Sequence, residues 1–450
     1  MKFLPSDRPP KVAIVGFGYV GSCVAATLAE RGIRVFGVDN NPTLIEEMMA
    51  GYCRFNEPRL AGALESALAA GILTLSTDYE TAAPADVIII AVGTPIDARK
   101  MVVTEHLETV CSSLAPVLRA GQLVILKSTV APGTTSELVR PLFEKGGLIG
   151  GRDFGLAFCP ERLAEGAALA EFRSLPIVIG GCDEDSAEAA RKFWVDALDA
   201  EVLMFARPEV AELVKLADNW WIDVNIALAN ELAQLCGRLG VDVLDVISGA
   251  NSLPKGDGHV NILLPSVGVG GSCLTKDPWI LWSAARARGV RLRLAETGRD
   301  VNDGMPGYTY RLIRNGLADL GKDLAHAKVA VLGLAFKNNT NDLRNTPVAP
   351  VVEALRTTGA RVEIYDPLVA DGMAEAVFGQ TQAASLADAV AEADCVAVLA
   401  GHDQIRDLDF PGLAQQVRLP CLLVDGRAYY PPRTLAQLGA LGIAYRGIGR

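Results

Sequence analysis

The feature that most constrains the fold lies near the amino terminus. Lys11–Val15 is an apolar, strand-like run, followed by Gly16-Phe17-Gly18-Tyr19-Val20-Gly21, an amphipathic stretch to Arg31, and a second strand-like run, Arg34–Val38, ending at Asp39. Strand, glycine turn, helix and strand in that order make a β-α-β unit, and the crossover helix makes its two strands parallel. A glycine turn alone is a weak signal. With a strand before it, a helix after it and an acid closing the next strand, it has the context of a dinucleotide site. Gly16 permits the tight turn, Gly18 lets the backbone approach a pyrophosphate, and Gly21 allows close packing of helix on sheet, while the helix amino terminus offers N–H groups to the anion. Asp39 is placed to accept hydrogen bonds from a ribose diol and to repel a 2′-phosphate, which favours NAD over NADP.

Further strand-like runs follow at Asp86–Val92, Leu123–Lys127, Phe154–Phe158 and Ile177–Ile179, separated by helix-length stretches, so the sheet is expected to be largely parallel. After Pro208 the texture changes. Apolar residues recur at helical spacing from Val210 to Leu235 without a proline, which predicts one long helix over 209–239, with more helix over 278–288 and 308–320. The opening pattern then returns: Lys328–Gly333 echoes Lys11–Gly16, Arg361–Asp366 echoes Arg34–Asp39, and Ala393–Leu399 echoes the run beginning at Ala85. The second turn, Gly333-Leu-Ala-Phe-Lys337, lacks the second and third glycines, and 33 positions rather than 23 separate it from its acid, so a mononucleotide suits it better than a dinucleotide. The expected fold class is α/β: two Rossmann-like parallel-sheet domains, 1–207 and 323–450, joined by a helical domain, 208–322, with one long central helix.

With 450 residues there is room for about three domains of ordinary size. Apolar runs stay far short of a bilayer span, and residues 1–10 carry Asp7, Arg8 and three prolines instead of a secretory apolar stretch, so a cytoplasmic protein without membrane association is expected. A formal charge of −11 opposes nucleic-acid binding. Four scattered histidines and nine cysteines without a C-x-x-C predict neither a metal site nor a disulfide framework.

Two strand ends, Ile88–Pro95 and Val124–Thr129, place Thr94 and Thr129 where α/β sheets bind ligands, or else in ordinary turns. Lys215, Asn219 and Asp223 fall at i, i+4 and i+8, a polar stripe that is either solvated or functional. In Val267-Gly-Val-Gly-Gly-Ser-Cys273-Leu-Thr-Lys276-Asp277, three glycines let the backbone come close to a ligand. Cys273 is expected at or near a helix start, where the dipole and Lys276 favour thiolate, with Asp277 one turn later. A nicotinamide cofactor with an activated thiol points to aldehyde-level oxidation, through a thiohemiacetal that becomes a thioester and is hydrolysed to a carboxylate.

Together these segments resemble the UDP-glucose/GDP-mannose dehydrogenases, four-electron oxidoreductases that convert the C6 alcohol of a nucleotide sugar to a uronate. The resemblance rests on Gly16–Gly21 with Asp39, Val92–Pro95, Lys127–Thr129, Pro160–Gly166, Glu212–Asn219, Gly268–Asp277, and Gly333–Lys337 with Asp342–Arg344. It implies Cys273 as nucleophile, Lys215 and Asn219 as stabilisers of the C6 oxygen, and Asp277, Thr129 and Glu161 as the groups that position water and move protons. For the cofactor it implies Gly16, Gly18, Tyr19, Val20, Gly21, Asp39, Val92, Gly93, Thr94, Glu165 and Lys276, with Arg344 reaching the NAD site of a neighbouring subunit. For the substrate it adds Leu163, Asn261, Gly270, Phe336 and Lys337 to Glu161, Lys215 and Asn219.

The resemblance also implies a homodimer or higher homo-oligomer built on the long helix, and a place in surface-polysaccharide or glycoconjugate synthesis. Ala250-Asn251, Val260–Leu263 and Asp277-Pro-Trp resemble the branch that oxidises UDP-N-acetylhexosamines, whereas Ser272 and Lys276 look more like UDP-glucose dehydrogenases. A UDP-N-acetylhexosamine is the first expectation, UDP-glucose the second, and GDP-mannose stays open. Two other classes remain: a two-electron β-hydroxyacid-type dehydrogenase, which needs no cysteine, and a non-catalytic nucleotide-binding protein.

Overall fold

Short, continuously apolar runs make strands that need cover on both faces, and the chain supplies it twice. The computed structural model describes residues 2–450. Strands β1 (Val12–Val15), β2 (Val35–Val38), β3 (Leu73–Ser76), β4 (Val87–Ile90), β5 (Leu123–Leu126), β6 (Gly155–Phe158), β7 (Ile177–Gly181) and β8 (Val202–Phe205) form one sheet in the order β3-β2-β1-β4-β5-β6-β7-β8. All neighbours are parallel except β6 and β7. Alternate residues serve two cores. Val12, Ile14, Ile89 and Ile125 pack with the helix Tyr19–Ala29, and Ala13, Val15, Ile90 and Leu126 pack with the helix Glu105–Leu114. The edge strands β3 and β8 escaped sequence reading because neither is a fully buried apolar run: β3 alternates, and Leu203 and Met204 of β8 are exposed.

Two compact units result, one formed by the chain as far as Asp218 with Trp279–Arg291, the other by Asn219–Pro278 with Leu292–Arg450. This partition differs from the three domains expected from sequence, because the stretch 208–322 is divided. On the long helix Pro208–Leu239, Ala211 belongs to a core of the first unit, whereas Ala229, Ala233 and Cys236 belong to a core of the second.

In the second unit a small antiparallel pair, β9 (Pro254–Lys255) and β10 (Gly258–His259), precedes a five-stranded parallel sheet. Its strands are β11 (Lys328–Leu332), β12 (Arg361–Tyr365), β13 (Cys395–Val398), β14 (Cys421–Asp425) and β15 (Ile443–Gly447), in the order β12-β11-β13-β14-β15. β11 lies between β12 and β13 as β1 lies between β2 and β4, so the sequence echo is an echo of topology. The helical pattern expected over 308–320 is the end of a longer helix, Arg293–Asp319, which runs through a buried Pro306. No helix among the described residues is long and apolar enough to cross a membrane.

Burial on the long helix follows its apolar pattern only in part: Ala211, Leu216, Ala227 and Ala229 are buried, but several large apolar residues are not. Val210, Leu213, Trp221, Leu228 and Leu235 are exposed, whereas the polar stripe Lys215, Asn219 and Asp223 is buried. Partners explain the burial of Asp223. Its Oδ1 receives Arg299 Nη1 at 2.7 Å and Asn302 Nδ2 at 2.8 Å, and Asn302 in turn receives Asn230 Nδ2 at 2.9 Å. Asn230 Oδ1 holds the backbone N–H of Ser266, whose hydroxyl donates to the Gly268 carbonyl, and Arg299 also donates to the Leu274 carbonyl. This chain of buried bonds runs from the helix to both ends of the glycine-rich loop. Without Asp223 the buried Arg299 keeps only the half-exposed Asp303 as its counter-ion, and Asn302 loses a charged acceptor. Asp223→Ala is therefore expected to lower stability by about 1.5–3 kcal/mol, measured by denaturant unfolding; a loss below about 1 kcal/mol would show that the network is not a support.

Candidate functional site

In the first unit, β1 ends in the glycine turn, at the position where the neighbouring strands β2 and β4 leave in opposite connections. Crevices in parallel sheets open at such switch points. Gly16 has φ +91°, and a Cβ there would lie 2.7 Å from the Ala91 carbonyl oxygen. A Cβ on Gly21 would lie 2.0 Å from the Gly16 carbonyl oxygen, whereas one on Gly18 would meet nothing within 4 Å. Gly21 is thus a packing glycine, and Gly18 leaves its space open. Tyr19, Val20 and Gly21 open a helix whose amino terminus has no side-chain cap, so its N–H groups face outward for an anion.

A cleft of about 280 Å³ lies beside the turn, lined by Gly16, Gly18, Asp39, Tyr79, Val92, Gly93 and His106, among others. Asp39 Oδ2 accepts the Phe17 N–H at 2.7 Å while its carboxylate still borders the cleft. An open cradle at Gly18, an uncapped helix end and an acid at the cleft wall fit the pyrophosphate and ribose of NAD. Thr94 donates to the Thr129 carbonyl, which ties the ends of two adjacent strands together.

The loop after β6 carries Glu161, Leu163 and Glu165. Glu161 accepts the Leu163 N–H, and its Oε2 lies 3.8 Å from Lys215 Nζ, both side chains being nearly enclosed. Two residues to which the sequence reading gives no role hold this loop. Lys127 is buried between the rings of Phe172 and Trp194 and donates to the carbonyls of Pro160 at 3.2 Å and Cys159 at 3.4 Å. Burial lowers its pKa. Glu57, also buried, accepts from the Tyr19 hydroxyl at 2.5 Å and from the Gly166 N–H at 2.7 Å, and so links the dinucleotide turn to the end of the loop. Lys127 belongs to the Lys127–Thr129 run without an assigned role, and Glu57 to no motif; only the fold brings them to the loop. Cys159 is a packing residue, its thiol pushed up to about 12 by burial.

In the second unit the glycine-rich segment leads into the helix Asp277–Ala287. The N–H groups of Lys276 and Asp277 both donate to the Cys273 carbonyl, at 3.0 and 2.9 Å, so helical bonding begins at Cys273. Cys273 is the one exposed cysteine among the described residues. Its neighbour Asp277 is fully buried, receives Asn219 Nδ2 at 2.5 Å and pairs with Lys276 Nζ at 2.6 Å. The glycines serve the chain itself more than the reading of a ligand contact allowed. A Cβ on Gly270 would lie 2.4 Å from Phe336 Cβ, and one on Gly271 would lie 2.9 Å from the Phe336 ring, so the close approach is that of the segment carrying Phe336. Asn261 sits in a strip held by side-chain amides: Asn225 bonds the Asn261 carbonyl and Leu263 N–H, and Asn251 bonds both backbone groups of Ile262.

The second nucleotide turn differs from the first in the way its shorter motif suggests. Lys337 is exposed beside part-buried Phe336. Asp366 is buried and already accepts the N–H groups of Leu334 and Ala335. Arg344, exposed, is held to Asp342 through Nε at 2.9 Å and Nη2 at 2.5 Å. Arg427, not marked by any motif, donates to the carbonyls of Leu399 and Phe336 from the far side of this turn.

Two parallel nucleotide folds and an exposed, helix-leading thiol define a class of nucleotide-dependent oxidoreductases, and comparison with known proteins narrows it. Residues 10–197, 209–304 and 330–432 match, in order, the NAD binding domain, central domain and UDP binding domain of the UDP-glucose/GDP-mannose dehydrogenase family. The UDP-N-acetyl-D-mannosamine dehydrogenase of Pyrococcus horikoshii is 33% identical over 440 residues, covering 98% of this chain and 99% of its own. A solved structure of UDP-D-ManNAc dehydrogenase from that organism superposes with a TM-score of 0.88 at 33% identity, over 98% of this chain and 99% of the other. A UDP-glucose dehydrogenase structure from Pyrobaculum islandicum gives 0.86 at 34% identity, over 99% of each. The chain belongs to the UDP-glucose/GDP-mannose dehydrogenase family and is an NAD-dependent nucleotide-sugar dehydrogenase. Asp39→Ala is expected to weaken NAD binding by about tenfold, the scale of one lost charge-assisted bond pair, and to narrow the preference over NADP, both read by titration; unchanged discrimination would remove Asp39 from the ribose seat.

Proposed function

We propose that the protein oxidises the C6 alcohol of a UDP-sugar to the uronate in two successive two-electron steps, with Cys273 as covalent nucleophile. The observation that carries this reading is Cys273 itself, exposed at the start of a helix with Lys276 and buried Asp277 within four residues. Bound NAD supplies the hydride acceptor for each oxidation. In the first, Lys215 and Asn219, one turn apart on the long helix, stabilise negative charge at the C6 oxygen as it loses its proton. In the second, Cys273 Sγ adds to the aldehyde carbon, and the thiohemiacetal, once oxidised, is a thioester. Water then cleaves the carbon–sulfur bond, returning the thiol and leaving the carboxylate. Asp277, Glu161 and Thr129 move the protons and orient that water. Tyr19, Val20, Val92, Gly93, Thr94, Glu165, Lys276 and Arg344 belong to the cofactor side of this reading, and Leu163, Asn261, Gly270, Phe336 and Lys337 to the substrate side.

A UDP-N-acetylhexosamine is the favoured sugar. Support comes from relatives named as UDP-N-acetyl-D-mannosamine dehydrogenases. UDP-glucose is the second reading, since the Pyrobaculum islandicum enzyme is about equally similar. The exposed apolar residues of the long helix support a homodimer or larger assembly, in which burial of that face would repay its exposure.

Offered a panel of UDP-N-acetylmannosamine, UDP-N-acetylglucosamine, UDP-N-acetylgalactosamine, UDP-glucose and GDP-mannose, the protein is expected to release two NADH per molecule of one UDP-N-acetylhexosamine. Cys273→Ser should lower kcat by about a thousandfold or more, followed by absorbance at the NADH band. One NADH per sugar with an indifferent serine variant would establish the two-electron rival instead.

A further inference from the structure

The second nucleotide turn is braced by a side chain that no motif marks. His402 is fully buried. Its Nε2 lies 2.9 Å from Asp366 Oδ2, and its Nδ1 accepts the backbone N–H of Asn339 at 2.8 Å. An accepting Nδ1 fixes the tautomer, so Nε2 carries the proton and donates to the carboxylate. Asp366 Oδ2 also accepts the N–H groups of Leu334 at 2.7 Å and Ala335 at 3.3 Å, while Oδ1 accepts that of Leu368 at 2.9 Å. One imidazole therefore reaches both ends of the segment 334–339, the first end through Asp366 and the last directly. Phe336 and Lys337 lie between them.

The far end needs that brace. Asn339 sits at φ 54°, a left-handed conformation uncommon for a residue with a side chain. Its side-chain oxygen accepts the Asp403 N–H at 3.0 Å, so residues 402 and 403 grip it from two directions. The first turn shares only part of this: Asp39 accepts the Phe17 and Asn41 N–H groups as Asp366 accepts those of Leu334 and Leu368, but Asp39 is part-buried and borders an open cleft, whereas Asp366 is 2% exposed and takes the Ala335 N–H and the His402 imidazole besides.

We propose that His402 is a positioning residue for the nucleotide half of the sugar donor. It sets the course of the segment bearing Phe336 and Lys337, and it helps to occupy the carboxylate that would otherwise seat a second ribose diol. This rests on the reading that the second unit takes the nucleotide of a UDP-sugar. The Leu334 and Ala335 bonds to Asp366 survive loss of the imidazole, whereas the Asn339 N–H loses its acceptor. The Asn339 arm is thus the one that depends on His402.

The test uses the full-length protein, with UDP titrated calorimetrically and NAD titrated in parallel as a control on the first unit. His402→Ala is expected to weaken UDP binding by about tenfold and leave NAD binding unchanged, and in turnover to raise KM for the UDP-sugar with little change in kcat. His402→Asn, which keeps an acceptor near Nδ1, should recover most of the loss. His402→Gln, which keeps a donor near Nε2, should not. Equal UDP affinity in wild type and His402→Ala would overturn the proposal, as would rescue by glutamine alone. Imidazole 15N spectra of the unsubstituted protein test it even where the variants fail to fold: an unprotonated Nδ1 on His402 is expected, and a protonated one refutes the brace. A wild-type protein that binds NAD but not UDP would instead overturn the reading of the second unit.

Discussion

Everything in this chain follows from parallel strands that are apolar on both faces. Such strands cannot tolerate polar side chains along their length, so Val12–Val15, Val87–Ile90 and Leu123–Leu126 are wholly buried and their polar residues wait at the ends. The glycine turn, Asp39, Thr94 and the Thr129 carbonyl that it binds all stand at carboxyl strand ends for this reason. In the second sheet the interior strand β13 is wholly buried and apolar in the same way, and Gly333, Asp366 and His402 follow β11, β12 and β13. On these sheets polar groups gather at strand ends because nowhere else along such strands is polar chemistry compatible with the core.

The long helix solves the converse problem, how to bury polar groups and keep them paired. Glu212 accepts the Gly133 and Thr135 N–H groups and the Thr135 hydroxyl, Lys215 faces Glu161, Asn219 holds Asp277, and Asp223 holds Arg299. Glu212 and Lys215 tie the helix to loops that follow strands of the first sheet, Asn219 to the helix start after Cys273, and Asp223, through Arg299, to the Leu274 carbonyl beside it. Apolar residues of the same helix are left at the surface, an arrangement that costs an isolated chain exposure and that self-association would offset. Polar pairs buried in this way add little net stability, but they restrict the loops to one geometry.

Much was legible from sequence where local geometry dictates residue type. A glycine that needs positive φ at Gly16, an acid after β2, and the texture change after Pro208 each reflect a constraint acting within a few residues. The edge strands were not legible, because half-covered strands lose the continuous apolar signature. The direction of burial on the long helix stays open in the sequence for a related reason: periodicity reveals two faces, but which one is inside depends on partners distant in the chain. The glycines at 270 and 271 were read toward a ligand, while the structure packs them against Phe336, more than sixty residues on.

The order of elements, the two nucleotide turns, the long helix and the identity of the cysteine worth attention were determined by the sequence alone, since each depends on spacing that the backbone must satisfy locally. The tertiary structure alone decided which groups serve as supports. Lys127 beneath the Pro160 carbonyl, Glu57 between Tyr19 and Gly166, Arg299 on Asp223 and His402 against Asn339 are single side chains to which no motif assigns a role. Their roles arise because a buried polar group must find its partner wherever the fold delivers one, and that partner lies far away along the chain.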